Sequence, residues 1–341
     1  MKAIGYKQSL PIDNEDALID VNIPKPSANG HDLLVKVAAV GVNPVDYKVR
    51  QTRSSEENEL NILGWDAVGE VVAIGELVEH YAIGDNVFYA GDITRSGSNA
   101  EYQLVDERIV GVKPTNLSNA DAAALPLTAI TAWELLFEHL SIDQQSPADI
   151  EKSDDVLLVV GAAGGVGSIL LQLAATLTGA TIIATASRAS SQAWVKELGA
   201  HHVVNHREPL TPQIQALGLK PLTHIASLNN TESYFDTYIE LLEPFGKIGL
   251  IDDPSVLDVA KIKPKSLSLH WEFMFARSMH AASHMGEQRV LLNRLSKLLD
   301  QGYLKTTAGK NLGLINAQNL RRAHKELESR TSIGKLVLEG F

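Results

Sequence analysis

One segment constrains the fold of this chain more than any other. Val156-Leu157-Leu158-Val159-Val160 is apolar at every position, and it runs into Gly161-Ala162-Ala163-Gly164-Gly165-Val166-Gly167 and then into Ser168-Ile169-Leu170-Leu171-Gln172-Leu173-Ala174. A continuous apolar run reads as a strand covered on both faces, and the apolar stretch after the turn reads as a helix. Against the G-x-G-x-x-G pattern, Ala162, Gly164 and Gly167 fill the three key positions. Gly164 lets the backbone come close to a pyrophosphate, and Gly167 lets the helix pack closely on the strand. The turn Ala163, Gly164, Gly165, Val166 and Gly167 then presents helix N-terminal N–H groups and the positive dipole end to phosphate. The competing reading is a tight strand–helix turn with no ligand. A nucleoside-triphosphate loop is excluded, because no Gly-Lys-Ser/Thr follows.

From Asp155 onward, strand and helix patterns alternate. Strands are expected at 156–160, 181–185, 202–204, 223–228, 247–251 and 267–272, with helices at about 166–178, 190–198, 211–217 and 231–243. Alternation of this kind implies a parallel sheet with crossover helices, and six strands complete a Rossmann sheet. The first 125 or so residues read differently. Leu33–Val40, Ala67–Gly75 and Gly84–Tyr89 are short strand-like runs broken by turns, the pattern of an antiparallel β domain. A long helix is expected at about 284–301. The closing Gly334-Lys335-Leu336-Val337-Leu338 reads as a strand that returns to the first domain, since the parallel sheet is already full. With 341 residues, about two domains are expected: 128–274, and 1–127 joined by 275–341.

The dinucleotide can be narrowed. Folds selective for NAD place an acidic residue at the end of the second strand, about 20 residues beyond the turn. Here that strand ends Ala184-Thr185-Ala186-Ser187-Arg188, and no Asp or Glu occurs between Asp155 and Glu197. Arg188 offers a planar cationic fork to a 2′-phosphate and Ser187 a hydroxyl, which points to NADPH. The plainer reading of Arg188 is a solvated loop charge. The chain contains no cysteine, so disulfides, thiolate nucleophiles, iron–sulfur clusters and cysteine-held zinc are excluded. A formal charge of −11 makes nucleic acid a poor default partner. No apolar run reaches the length of a membrane span, and the N-terminus shows no secretory pattern, so a cytoplasmic location is expected. No G-x-S-x-G elbow supports a hydrolase.

Gly41-Val42-Asn43-Pro44-Val45-Asp46-Tyr47-Lys48, Gly64-Trp65-Asp66-Ala67-Val68-Gly69, Gly84-Asp85-Asn86-Val87, the 162–167 turn, Leu198-Gly199-Ala200 and Gly334–Leu338 together carry a resemblance. The chain resembles the medium-chain dehydrogenase/reductase superfamily, most nearly its zinc-independent quinone oxidoreductase branch (the ζ-crystallin-like proteins) and the group called zinc-type alcohol dehydrogenase-like. The resemblance implies a GroES-like catalytic domain beside the Rossmann domain. It also implies a dimer formed through the last strand of the parallel sheet. Asn43-Pro44 stands where the zinc enzymes have a cysteine ligand, and Trp65 stands where they have a histidine. The zinc label would then describe ancestry and not chemistry.

The resemblance also implies site residues. It places Asn43, Asp46 and Tyr47 in the cleft beside the nicotinamide. Asn43 and Tyr47 would be donors to a carbonyl and Asp46 would orient them; Asn-Pro-x-Asp is also good turn chemistry. Thr131, expected to begin a helix, would touch the nicotinamide ribose or phosphate, or simply cap that helix. His206 would lie on the adenine-ribose side. Backbone at Leu228, Ile251, Phe273 and Phe275 would hold the carboxamide, although the aromatics around Phe273 also suit a dimer interface. Trp65, Tyr89 and Phe275 are expected to line a cleft for a flat conjugated acceptor, shaped by loops 51–62 and 91–99. His280 and His284, four residues apart, have the spacing of metal ligands on one helix face, but the sequence offers no third partner. The expected activity is NADPH-dependent hydride transfer to a quinone or an α,β-unsaturated carbonyl. The alternatives are an NADPH-binding crystallin-like or RNA-binding protein with little turnover, and a zinc-dependent alcohol dehydrogenase.

Overall fold

The computed structural model describes residues 1–53 and 59–341, so the middle of the 51–62 loop lies outside the described residues. The chain divides into two units, Met1–Ile130 with Phe275–Phe341, and Thr131–Met274.

In the second unit the sheet follows the apolar runs. Val156–Val160, Thr181–Thr185, His202–Val204, Leu222–Ser227, Leu242–Leu250 and Ser268–Trp271 form six strands, all paired in parallel. Their spatial order is third, second, first, fourth, fifth, sixth, the doubly wound order with its switch point between the first and fourth strands. Val156–Val160 is buried throughout because it has neighbours on both edges and helices over its faces. The helices Gly165–Leu177 and Ala189–Glu197 are tied together by Trp194 on Ser168. The helices Leu210–Ala216 and Thr231–Leu241 share one apolar cluster, in which Ile214 and Phe235 pack with Leu158, Ile225 and Ile248. Right-handed crossovers in this strand order put the two pairs on opposite faces. Gly167 is required by close approach: a Cβ there would stand 2.5 Å from the Ala162 carbonyl oxygen.

Two expectations are corrected here. The fifth strand begins at Leu242 and not at 247, because Leu222 pairs with Leu242 before a register shift that brings His224 opposite Lys247. Thr131 does not begin a helix. The helix is Pro126–Trp133, started by a proline whose missing N–H costs nothing at that position, and it continues as a π-helical turn over Glu134–His139.

The first unit is mostly antiparallel. Asp32–Val42 is its long strand, paired with Ala67–Ile74 on one side. On its other side it pairs with Tyr102–Asp106 over its first half and with Lys335–Glu339 over its last residues. Asn86–Tyr89 and Val110–Val112 extend the sheet beyond Ala67–Ile74, and Ala308–Asn311 lies parallel to Lys335–Glu339. The closing strand thus returns to the first domain. A smaller antiparallel sheet joins Ile19–Asn22, Lys2–Tyr6 and Asn61–Ile62. His280 and His284 do not share a helix face. The helix Ala276–Met279 ends at once, Ala281 takes a left-handed φ of 45°, and the next helix starts only at Glu287. No described helix is long and apolar enough to cross a membrane.

Candidate active site

Two sets of residues stand out, one within each unit. In the parallel-sheet unit, Gly164 is the N-cap of Gly165–Leu177, with φ −77°. Any residue adopts that conformation. A Cβ at 164 would meet only the Gly161 carbonyl oxygen, at 3.4 Å, which is ordinary contact. Neither conformation nor internal packing therefore demands glycine there. The space beside Gly164 leaves room for a ligand to come close to the backbone, and the first N–H groups of the helix have no intrahelical partners.

Beyond the second strand, Ser187 is half-buried and Arg188 is exposed. The Arg188 backbone is locked to the next helix: its N–H donates to Ser191 Oγ at 3.2 Å, and that hydroxyl donates to its carbonyl at 2.9 Å. The guanidinium itself makes no hydrogen bond or ion pair among the described residues. His206, at the end of the third strand, is also exposed. Partial burial holds its imidazole below the ordinary histidine range, and the Arg207 and Arg188 charges push the same way. Glu208, the acidic residue of this loop, accepts from Asn205 Nδ2 at 3.0 Å.

The Leu228 and Ile251 amides are already used, donating to the Val160 and Ser227 carbonyls at 3.0 and 3.3 Å. A carboxamide held at these positions would have to use their carbonyl oxygens. Phe273 is about half exposed. Thr131 is buried within its helix.

In the other unit, Asn43 is the N-cap and Pro44 the first residue of the helix Pro44–Thr52, which carries Asp46 and Tyr47. Asp46 Oδ2 accepts from the Asn43 amide at 2.6 Å, the backward half of a capping box. Burial pushes the Asp46 carboxyl up to about 7, against the pull of that amide and of the Lys335 ammonium. The Asn43 side chain is 1% exposed. Its Nδ2 donates to Asp66 Oδ2 at 2.8 Å and to the Trp65 carbonyl at 3.3 Å. Its oxygen accepts a short hydrogen bond from Lys335 Nζ. Lys335 also pairs with Asp66 Oδ2 at 2.8 Å, and Asp66 Oδ1 accepts from the Leu127 amide at 2.7 Å, in the first turn of Pro126–Trp133. Burial raises the Asp66 carboxyl from its ordinary range, and the ammonium and these donors act against it. Asn43, Asp66 and Lys335 thus form a closed, buried triad. Both Asn43 donors are spent inside the domain.

Tyr47, in contrast, is half-buried and makes no hydrogen bond among the described residues. Its helix is anchored at the far end by Arg50, which is fully buried. Arg50 donates to His324 Nδ1 at 3.3 Å, to the Leu10 carbonyl and to Glu328. His324 must be neutral to accept, and burial beside Arg50 pushes it down to about 3. Tyr6 Oη adds a bond to the Arg53 carbonyl at 2.8 Å.

Trp65, Tyr89 and Phe275 do not line an open surface; none exceeds 2% exposure. Trp65 packs edge-on against Phe275 with centroids 6.0 Å apart and donates its indole N–H to the Asp92 carbonyl at 3.2 Å. Burial of so much aromatic surface outweighed the flat-acceptor reading. Phe275 accordingly belongs to the first unit's core. Sequence reasoning missed Lys335, Arg50 and His324. The one signal for Lys335 was a lysine opening an otherwise apolar strand. Among the described residues, no three His, Cys, Asp or Glu side chains are grouped to hold a metal ion.

A doubly wound parallel sheet with an open glycine turn, joined in one chain to an antiparallel β unit, defines a dinucleotide-binding oxidoreductase class. Residues 29–115 match the alcohol dehydrogenase GroES-like domain and residues 165–285 the zinc-binding dehydrogenase domain. The chain is 37% identical over 339 residues to a zinc-type alcohol dehydrogenase-like protein of Staphylococcus epidermidis, covering 99% of both chains. A crystal structure from Rhizobium etli CFN 42, given a zinc-dependent alcohol dehydrogenase name, is 48% identical with a TM-score of 0.95, over 100% of this chain and 98% of that one. The quinone oxidoreductase from Coxiella burnetii is 27% identical with a TM-score of 0.80, over 100% and 99%. The chain belongs to the medium-chain dehydrogenase/reductase superfamily.

Proposed function

We propose that the protein is an NADPH-dependent reductase that passes hydride to a quinone or to the β-carbon of an α,β-unsaturated carbonyl, without catalytic zinc. The observation that carries the cofactor assignment is Arg188, exposed at the end of the second strand and unpaired among the described residues, with no acid in the sequence there to hold a bare ribose. Gly164 and the N–H groups of Gly165, Val166 and Gly167 would take the pyrophosphate, with Ala163 shaping the turn. Ser187, Arg188 and His206 would take the adenosine 2′-phosphate side. Thr131 and backbone at Leu228, Ile251 and Phe273 would take the nicotinamide half. When bound, the nicotinamide supplies the hydride.

Zinc-free chemistry is supported by the fate of the ligand positions. Trp65 packs in the core, and Asn43 spends its amide on Asp66 and Lys335, so an internal ammonium occupies the polar centre. Asn43 and Asp46 then serve to hold the start of the helix that presents Tyr47. The Tyr47 phenol is left as donor to the acceptor oxygen, where negative charge grows in the transition state. A homodimer and a cytoplasmic location belong to the same proposal.

The test is NADPH consumption with a panel of quinones, enones and alcohols, before and after extended dialysis against chelator. Turnover of conjugated carbonyls that survives dialysis is the expected result. Alcohol oxidation that is lost to the chelator and restored by zinc would replace this reading with the zinc-dependent one.

For Tyr47→Phe, kcat with an enone should fall about tenfold, less than the loss of a donor in a fully preorganised oxyanion site. NADPH affinity should stay unchanged. One-electron quinone reduction needs no proton donor in its first step and should slow less. An unaffected enone rate, or a loss confined to NADPH binding, would remove Tyr47 from the reaction.

A further inference from the structure

Trp194 lies in the middle of the helix Ala189–Glu197, three residues beyond Ser191, whose hydroxyl locks the Arg188 backbone. Its indole Nε1 donates to Ser168 Oγ at 2.8 Å. Ser168 is fully buried, and its hydroxyl donates onward to the Gly164 carbonyl at 2.7 Å. The same carbonyl accepts the Ser168 backbone N–H at 2.9 Å, the first ordinary bond of that helix. The Ser168 hydroxyl thus accepts from one helix and donates to the glycine turn at the head of the other. A hydroxyl has one hydrogen to give, so the indole N–H fixes its direction: with Trp194 donating, Ser168 must aim at Gly164.

We propose that Trp194 is a positioning residue for the dinucleotide, acting through Ser168 to hold the Gly164 turn fixed to the helix that Arg188 caps. The proposal rests on the reading of this unit as the dinucleotide site. The other bonds of the turn are to main chain and to the second strand: the Gly164 carbonyl takes the Ser168 N–H at 2.9 Å, the Gly164 N–H goes to the Gly161 carbonyl at 3.1 Å, and the Gly161 N–H goes to Thr185 Oγ1 at 3.1 Å. The Ser168 hydroxyl adds the bond that ties the turn to the neighbouring helix. A turn that can shift against the neighbouring helix would carry its N–H groups out of register with a pyrophosphate bound beside Arg188. The tether prepays that ordering.

Trp194→Phe removes the N–H and keeps most of the ring; Ser168→Ala removes the relay. Equilibrium binding of NADPH and of NADH to the full-length protein is the readout, beside thermal unfolding of each variant. Each single variant should weaken both cofactors about three- to tenfold, the size of one ordinary hydrogen bond. The double variant should be no weaker than either single, because both changes cut one chain of bonds. Combined with Arg188→Ala, which should touch NADPH alone, Trp194→Phe should add its loss in full. In kinetics the loss should raise KM for the cofactor and leave kcat unchanged. Wild-type affinity in both single variants would overturn the proposal. So would losses that add in the double variant and follow a falling melting temperature, which would mark plain packing. If the unaltered protein bound neither dinucleotide, the cofactor reading would fall and the tether with it. If it bound while the variants matched it, the tether alone would fall.

Discussion

Lys335→Met should lower the unfolding stability of the first unit by about 3–5 kcal/mol, the cost of stranding a charge whose buried partner has been removed. Lys335 is 3% exposed and Asp66 is not exposed at all, so water cannot replace the missing ammonium. Asn43 would lose its donor as well. The double variant Lys335→Met with Asp66→Asn should recover most of the loss, because an amide can still accept from Leu127 without carrying a charge. The sign of the pH dependence follows. Without Lys335, the Asp66 carboxyl in the folded state rises further above its unfolded value of about 3.9. The folded protein then binds more protons than the unfolded chain above that pH, so the destabilisation should be smallest near the acid end and grow as pH rises. Guanidinium unfolding of the single and double variants across that range is the measurement. A single variant as stable as the wild type, or a double variant no better than the single, would show that the triad is not a coupled unit.

Arg188→Ala should weaken NADPH by roughly 1.5–3 kcal/mol, the range for a hydrogen bond to a charged group, or about 10- to 150-fold. NADH should bind almost as before. The asymmetry is the informative part. Arg188 has no partner of its own among the described residues, so its removal strands nothing inside the protein. A loss shared equally by both cofactors would assign Arg188 to the turn's architecture and not to the 2′-phosphate. The loss should also shrink at higher salt, because an exposed pair is screened.

Much of this molecule was legible in the order of residue types. The parallel sheet follows from local signals alone, since a strand apolar at every position, a glycine turn and an apolar helix need no distant partner to be recognised. Strand bounds at 156–160, 181–185 and 202–204 coincide with the observed ones for that reason. The glycine turn and Arg188 are local in the same sense, lying within one strand–turn–helix–strand unit.

What the tertiary structure decided lies where residues far apart in sequence meet. Lys335 sits 292 residues from Asn43. It reaches Asn43 because Leu336 pairs antiparallel with Val42, which sets the residue before Leu336 opposite the residue after Val42. No periodicity announces a register between two strands so distant. The same holds for Arg50 and His324, which are 274 residues apart. Composition also misled in one respect. Trp65, Tyr89 and Phe275 are residues that either core or binding surface can use, and only packing shows that here they are core. Asn43 changed its meaning in the same way: as a sequence letter it is a free amide donor, and in the fold its donors are taken by Asp66 and the Trp65 carbonyl. Local pattern determines which elements form and where a dinucleotide turn sits. Which polar groups remain free to act is decided by long-range pairing, because a buried donor or acceptor must find a partner and the partner is chosen by the fold.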